Sequence, residues 1–225
     1  MKVVVFGASG MVGRGVVREC LLAEDVESVL VVGRAPFDEK HAKLRDLVHA
    51  SFSDFTAIER ELAGYDACFF CLGVTSSGRS EADYTRITYD TTLAAARAFV
   101  HASPNSVFVY VSGAGTDSTE KKRGMWARVK GKTENALLAM PFRAAYMFRP
   151  ALIQPRNGIV SRTRSYRIFY TLAWPLLPLL RAFPSLTTTT DRVGRAMLQC
   201  VRTGAAKPIV TSRDINSLAK ATLPA

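Results

Sequence analysis

The sequence has little with which to cross-link itself. Four cysteines (Cys20, Cys68, Cys71 and Cys200) in 225 residues are too few for a disulfide scaffold, and with no secretory signal ahead of them they point to a reducing compartment, expected here to be the cytoplasm. The apolar run that starts at Val3 stops at Gly7, too soon for a secretory h-region. Only three histidines occur, and His41, His49 and His101 stand at no metal-ligand spacing. Cys68 and Cys71 form a C-x-x-C, but inside a strand-like run residues three apart point to opposite faces, so no metal site is expected. No Gly/Ser/Pro-rich stretch marks a linker, which leaves one domain over residues 1–225. The apolar stretch from Ile168 to Leu180 is interrupted by Pro175 and Pro178. It is too short and too broken to span a bilayer, and is expected as a substrate wall or homodimer contact, with a peripheral membrane contact as the alternative.

Charge is plentiful but uneven. The formal net charge is +11, and residues 121–167, with twelve Lys/Arg against the single acid Glu134, account for all of it. That segment carries neither a base-stacking aromatic series nor a helix-turn-helix pattern, so nucleic acid is not the expected partner. The phosphates of a cofactor or substrate explain part of the patch more simply.

Short β-branched or apolar runs recur along the chain at Val3 to Phe6, Ser28 to Val32, Cys68 to Leu72, Val107 to Val111, Ala144 to Phe148 and Pro208 to Val210. Helical periodicity falls between them at Met11 to Leu22, Ile58 to Leu62, Glu81 to His101, Met125 to Met140 and Asp191 to Arg202. Strands apolar on both faces, alternating with helices, predict a mostly parallel sheet covered on each side: a doubly wound α/β fold of the Rossmann type. Residues of about 155–190 are expected to form a small substrate-side region.

The first strand runs directly into Gly7-Ala8-Ser9-Gly10-Met11-Val12-Gly13, a G-x-x-G-x-x-G turn at the mouth of the first helix. Glycines there allow positive φ and a close backbone approach, and the free N–H groups and dipole of the helix start attract a diphosphate. The end of the second strand carries Gly33-Arg34, where a nicotinamide dinucleotide with a free 2′-hydroxyl usually meets an acid about 20 residues past the loop. A guanidinium binds a 2′-phosphate by charge-assisted bonds, so NADP(H) is the predicted cofactor. Arg14 either assists or is a solvated surface charge. Asp38, four residues past Arg34, is the nearby carboxylate able to reverse the preference.

These motifs, with Ser53-Asp54-Phe55, Cys71-Leu72-Gly73-Val74-Thr75, Val111-Ser112-Gly113, Val129-Lys130-Gly131 and Phe148-Arg149-Pro150 in order over about the first 155 residues, resemble the atypical short-chain dehydrogenase/reductases, in their NmrA-like and Tat-interacting oxidoreductase-like branch. The final third is matched only loosely, through residues 193–198. The resemblance implies that Asp54 and Phe55 meet the adenine and that Leu72, Gly73 and Val74 line the nucleotide cleft. It also implies that Ser112 sits near the nicotinamide and substrate, that Lys130 bonds the nicotinamide ribose, and that Pro150, Ala151, Leu152 and Ile153 pass near the carboxamide.

One member of the family's proton relay is missing. The tyrosine expected four residues before the lysine is Trp126; an indole N–H donates a hydrogen bond but does not transfer a proton near neutral pH. None of the seven tyrosines has a lysine four residues later, and Arg86 stands where many relatives have asparagine. A replacement donor from another segment, Tyr84 or Tyr166, would restore an NADPH-dependent reductase of a small carbonyl substrate or a related isomerase-like enzyme, with Ser112 orienting the acceptor oxygen. Without one, the chain is a non-catalytic NADP(H)-binding regulator acting through a protein partner.

Overall fold

The computed structural model describes residues 1–159 and 185–221. Most of the expected substrate-side region, with Tyr166, Tyr170 and the apolar stretch from Ile168 to Leu180, lies outside the described residues.

Seven parallel strands form the central sheet: β1 (Lys2–Phe6), β2 (Ser28–Gly33), β3 (Leu44–Val48), β4 (Ala67–Phe70), β5 (Val107–Val111), β6 (Ala144–Arg149) and, late in the chain, β9 (Ile209–Thr211), in the order β3-β2-β1-β4-β5-β6-β9. Val4 pairs with Leu30 on one side and Cys68 on the other. The order reverses between β1 and β4, which opens a crevice above the carboxyl ends of those two strands. A second, two-stranded parallel sheet joins β7 (Leu152–Gln154) to β8 (Thr187–Thr189).

Alternation along the strands feeds two cores. Val3 and Val5 face α1 (Met11–Leu22) and α5 (Thr190–Thr203), while Val4 and Phe6 face a layer containing Phe55, Ile58, Leu62, Phe99 and Leu137. Helix α1 buries Val16, Val17, Cys20 and Leu21, the spacing of one helical stripe. Cys68 belongs to one core and Cys71 packs against the other; both are free thiols.

Several elements differ from their sequence pattern. Strand β3 has no apolar face to advertise it: its exposed Arg45 and Asp46 suit a sheet edge, and main-chain pairing with β2 holds it. Helix α6 (Ser212–Lys220) lies outside the predicted helices, although Thr211 and Asp214 form a reciprocal capping box at its start. The single helix expected from Glu81 to His101 is broken by an extra residue per turn: α2 (Glu81–Thr85), a π segment (Arg86–Asp90), then α3 (Thr91–Ala102). Such π segments concentrate at functional sites, and this one lies on the cleft wall.

Candidate functional site: one cleft across the switch point

The crevice is a chain of three connected chambers of about 270, 740 and 390 Å³. The first two share Gly7, Ser9, Arg34, Phe52 and Leu72, and the second and third share Val74. The glycine loop shapes the middle. Gly7 holds φ at +76°, and a side chain there would place its Cβ 2.6 Å from the Leu72 amide nitrogen. At Gly13 a Cβ would stand 2.2 Å from the Gly7 carbonyl oxygen. Only backbone fits at both places, so the start of α1 sits tight against the end of β1. Gly10 caps α1 without a side-chain bond, and the first turn holds no acid. An uncapped, unopposed helix start facing a chamber is a fitting cradle for a dinucleotide's diphosphate.

The first chamber is walled by the turn Gly33 to Asp38, with Arg34 exposed on it. Phe52 and Ser53 line the cleft beyond, together with Leu72, Gly73 and Val74. Two expected residues belong elsewhere. The Asp54 carboxylate accepts from Thr56 N (2.9 Å) and Thr56 Oγ1 (2.8 Å), and Phe55 is buried in the core against Phe6. Neither lines the cleft, because the turn after β3 presents the residues just before them. Met11, Val12 and Gly13 form the first turn of α1 behind the loop rather than the cleft wall, with Val12 packed on the core. Arg79, which carried no sequence signal, and Arg86, noted in the sequence only as standing where many relatives have asparagine, join Arg34 on the walls of the middle chamber, with Asp90 among them.

The third chamber gathers Ser112, Trp126, Lys130, Pro150, Ala151 and Ile153, as well as Tyr84. Leu152 is absent from this wall; its amide donates to Leu186 O within the small sheet. Lys130 Nζ donates to Ser112 O in a short bond, and burial pulls its ammonium down to about 8, against the opposing pull of Glu134. The Ser112 hydroxyl is already committed: it donates to Glu134 Oε1 and lies 3.1 Å from Phe148 O. Glu134, fully buried, also takes Arg149, whose Nε lies 3.1 Å from each carboxylate oxygen and whose Nη2 makes a still closer contact. Two cations of the basic segment, Lys130 and Arg149, are thus turned inward. The sequence did hold a signal for Glu134, the one acid of that segment, placed one helical turn after Lys130. The Trp126 ring packs against the Gly115 backbone, where an added Cβ would meet it at 3.0 Å. Tyr110, one strand residue from this chamber, is buried, and burial and then the neighbouring Tyr84 push its phenol upward. Among the described residues no group of three or more His, Cys, Asp or Glu side chains is placed to hold a metal, and no helix is long and apolar enough to cross a membrane.

The chain matches the model of an NAD(P)H-binding family over residues 7–145, the span that builds all three chambers except for the turn at Pro150 to Ile153. It is 28% identical over 151 residues to "Protein FMP52-2, mitochondrial" of Scheffersomyces stipitis, an alignment covering 66% of this chain and 65% of that relative's length. Among solved structures it is similar to Gre2 of Candida albicans in complex with NADPH, with a TM-score of 0.69 at 14% identity over 93% of this chain and 77% of that one. It is also similar to the oxidoreductase ylbE of Lactococcus lactis, with a TM-score of 0.64 at 14% identity over 99% and 96%. These structural likenesses bear out the doubly wound fold, and the family match bears out the NAD(P)H-binding resemblance. The cytoplasmic expectation is corrected: the FMP52-2 relative and three further relatives are named as mitochondrial proteins. Free thiols report only a reducing environment, so the cysteine argument had no power to choose between compartments. A glycine loop at the switch point of a seven-stranded parallel sheet and a family match over the same residues lead to one conclusion: the chain belongs to the NAD(P)H-binding family.

Proposed function

We propose that the chain holds NADP(H) along this cleft and reduces a small carbonyl compound, with Tyr84 as the proton donor in place of the missing phenol. The observation that carries the reading is the continuity of the cleft from Arg34, past the glycine loop, to a chamber where Tyr84 and Lys130 share one wall system. The loop amides and the start of α1 take the diphosphate, Arg34 takes the 2′-phosphate, and Phe52 with Ser53 stands beside the adenine in the place first expected of Asp54 and Phe55. Leu72, Gly73 and Val74 form the floor. Lys130 bonds the nicotinamide ribose, and Pro150, Ala151 and Ile153 border the carboxamide. When bound, the dinucleotide supplies a hydride. The chain's own part is to deliver a proton from Tyr84 Oη to the substrate oxygen, with the Lys130 ammonium favouring the phenolate left behind. Ser112 acts through its carbonyl, which fixes Lys130, because its hydroxyl proton belongs to Glu134. The names of the relatives support a mitochondrial setting.

Trp126 favours a second reading, a non-catalytic NADP(H)-binding regulator whose affinity for a protein partner follows cofactor occupancy. NADPH absorbance followed over a panel of aldehydes, ketones and quinones separates the two. Turnover by the wild type that disappears in Tyr84→Phe supports the reductase. Tight NADPH binding without turnover, joined by turnover gained in Trp126→Tyr, supports the regulator and removes Tyr84 as donor.

A further inference from the structure

The middle chamber carries an unbalanced charge that the cofactor reading above does not use. Its charged lining among the described residues is Arg34, Arg79, Arg86 and the single acid Asp90. Arg34 is assigned to the 2′-phosphate, and Lys130 belongs to the third chamber. The glycine loop meets the diphosphate with main chain and the start of α1, a helix end worth about half an elementary charge against the roughly two negative charges of a dinucleotide's diphosphate. Arg14, early in α1, is engaged with Asp38 at 2.6 Å and does not line this chamber. Most of the anion's charge is therefore left to the other walls. Two guanidiniums stand there, and they are not equivalent. Arg86 opens the π segment that also brings Asp90 to the chamber, and its Nη2 lies 3.3 Å from Asp83 Oδ1, so its charge is opposed by its near neighbours in the chain. Arg79 sits on the exposed loop between β4 and α2. Its Nε donates to Thr75 O at 3.1 Å, its amide donates to Ser76 O, and Thr75 Oγ1 accepts from Ser77 N, so the loop is tied to itself and presents the side chain from a fixed base. Neither Nη of Arg79 has a hydrogen-bond partner among the described residues. Asp83 is held below the usual carboxylate range by Ser80 first and then by Arg86, with Arg79 acting on it only through space.

We propose that Arg79 is a second ligand of the diphosphate, binding with its free Nη fork the anion that the glycine loop and the start of α1 hold through main-chain N–H groups. A guanidinium fork matches two phosphate oxygens at once, and such charge-assisted bonds are among the stronger ones. The inference rests on the reading of the cleft as the dinucleotide site, but not on which dinucleotide it holds. The diphosphate is common to NADPH and NADH, so Arg79 adds affinity for both and leaves the choice between them to Arg34.

Calorimetric titration of NADPH and of NADH into the wild type, Arg34→Met and Arg79→Met tests this, at an ionic strength of about 0.1 M and again at about 1 M, where the Debye length falls from about 10 Å to about 3 Å. Thermal melting of each variant verifies the unchanged fold expected of an exposed side chain. Arg79→Met is expected to lose about tenfold in affinity for both dinucleotides alike at the lower salt, the scale of one partly screened charge interaction. The loss should shrink to less than about threefold at the higher salt, and Arg34→Met should lose affinity for NADPH alone. An Arg79→Met chain that binds both dinucleotides as the wild type does overturns the proposal. A fall confined to NADPH also overturns it, since Arg79 would then read the 2′-phosphate, and so does a loss undiminished at the higher salt, which marks a change of loop shape rather than removal of a charge. In those three outcomes the wild type still binds, so the dinucleotide reading survives. A wild type that binds neither dinucleotide removes that reading and the Arg79 contact with it. A wild type that prefers NADH overturns only the part given to Arg34, and an equal fall for both dinucleotides in Arg79→Met upholds the contact in that case too.

Discussion

Glu134→Gln is the perturbation with the most calculable outcome. The side chain is fully buried, takes three contacts from Arg149 and accepts from the Ser112 hydroxyl. Glutamine keeps the shape and the acceptor for Ser112, but it removes the charge and leaves the Arg149 guanidinium, 19% exposed, with no counterion. Breaking a buried pair by deleting one partner costs about 3–5 kcal/mol, and the partial exposure of Arg149 argues for the lower end. For a chain of this size a loss of about 3 kcal/mol lowers the melting temperature by about 6–12 °C. Urea denaturation and thermal melting of Glu134→Gln, Arg149→Met and the double variant measure it. The double variant is expected to be more stable than the sum of the two single losses predicts, because no charge is then left buried alone. A loss below about 1 kcal/mol in Glu134→Gln would refute the reasoning, since that is the range of an exposed pair. Glu134 also raises the Lys130 ammonium against burial, so the same variant moves Lys130 further down and brings cofactor affinity to its fall at a lower pH.

Gly13→Ala puts a Cβ 2.2 Å from a backbone oxygen and 2.7 Å from Ala8 Cα; neither can yield, so α1 shifts from β1 at a cost of about 1–3 kcal/mol. Dinucleotide affinity by calorimetry is expected to fall at least tenfold, and an affinity equal to wild type would show that the start of α1 does not hold the diphosphate. Lys130 titrates at about 8 in the folded chain against 10.5 as its ordinary value. Between those values the unfolded chain keeps a proton that the folded one has released, so stability attributable to this residue rises with pH across the window. Denaturation of wild type and Lys130→Met from pH 7.5 to 10.5 is expected to show the wild type gaining on the variant, while NADPH affinity falls as the ammonium is lost above about 8; parallel curves would refute both. Burial pushes the Cys71 and Cys200 thiols up to about 12 and pushes the Cys68 thiol well above its ordinary value. A disulfide reagent at neutral pH should therefore modify the native chain much more slowly than the denatured one, and prompt labelling of Cys71 would contradict its packing.

What the sequence made legible was local in character. Val3 to Phe6 followed by Gly7, Gly10 and Gly13 encodes strand, turn and helix within thirteen residues, and the structure reproduces α1 to its ends. The same locality explains the helices around Lys130 and in the α5 region. Strand β3 was not legible because an edge strand with Arg45 and Asp46 is stabilised by ladder bonds to β2, which carry no side-chain signature. The displacement of Asp54 and Phe55 from the cleft arose in the same way. A motif fixes that a turn after β3 approaches the adenine end, but the seating of Phe55 against Phe6, Phe52 and His49 decides which of its residues face inward.

The third chamber was the least legible part because its side chains are assembled across the sheet. Ser112 follows β5, Glu134 and Lys130 lie on α4 (Met125–Leu138), Arg149 ends β6, and Tyr84 comes from α2; no window of sequence contains more than two of them at helical spacing. Reading Trp126 alone says that the usual proton donor is gone, and reading Ser112 alone assigns its hydroxyl to substrate. Placed together, the two conclusions change: the hydroxyl proton goes to a buried carboxylate, the carboxylate is itself bound to Arg149, and Tyr84, a buried tyrosine of α2, is among the residues that line the chamber with Lys130. A tyrosine four residues before the lysine reaches it through one turn of helix. A tyrosine from α2 reaches the same chamber only because α2 and α4 pack against one another, so the proposed donor depends on a helix–helix contact rather than on a motif. Weakening that contact through Arg128, which leaves α4 to pair with Glu81 on α2 at 2.7 Å, should therefore lower any turnover without altering dinucleotide affinity.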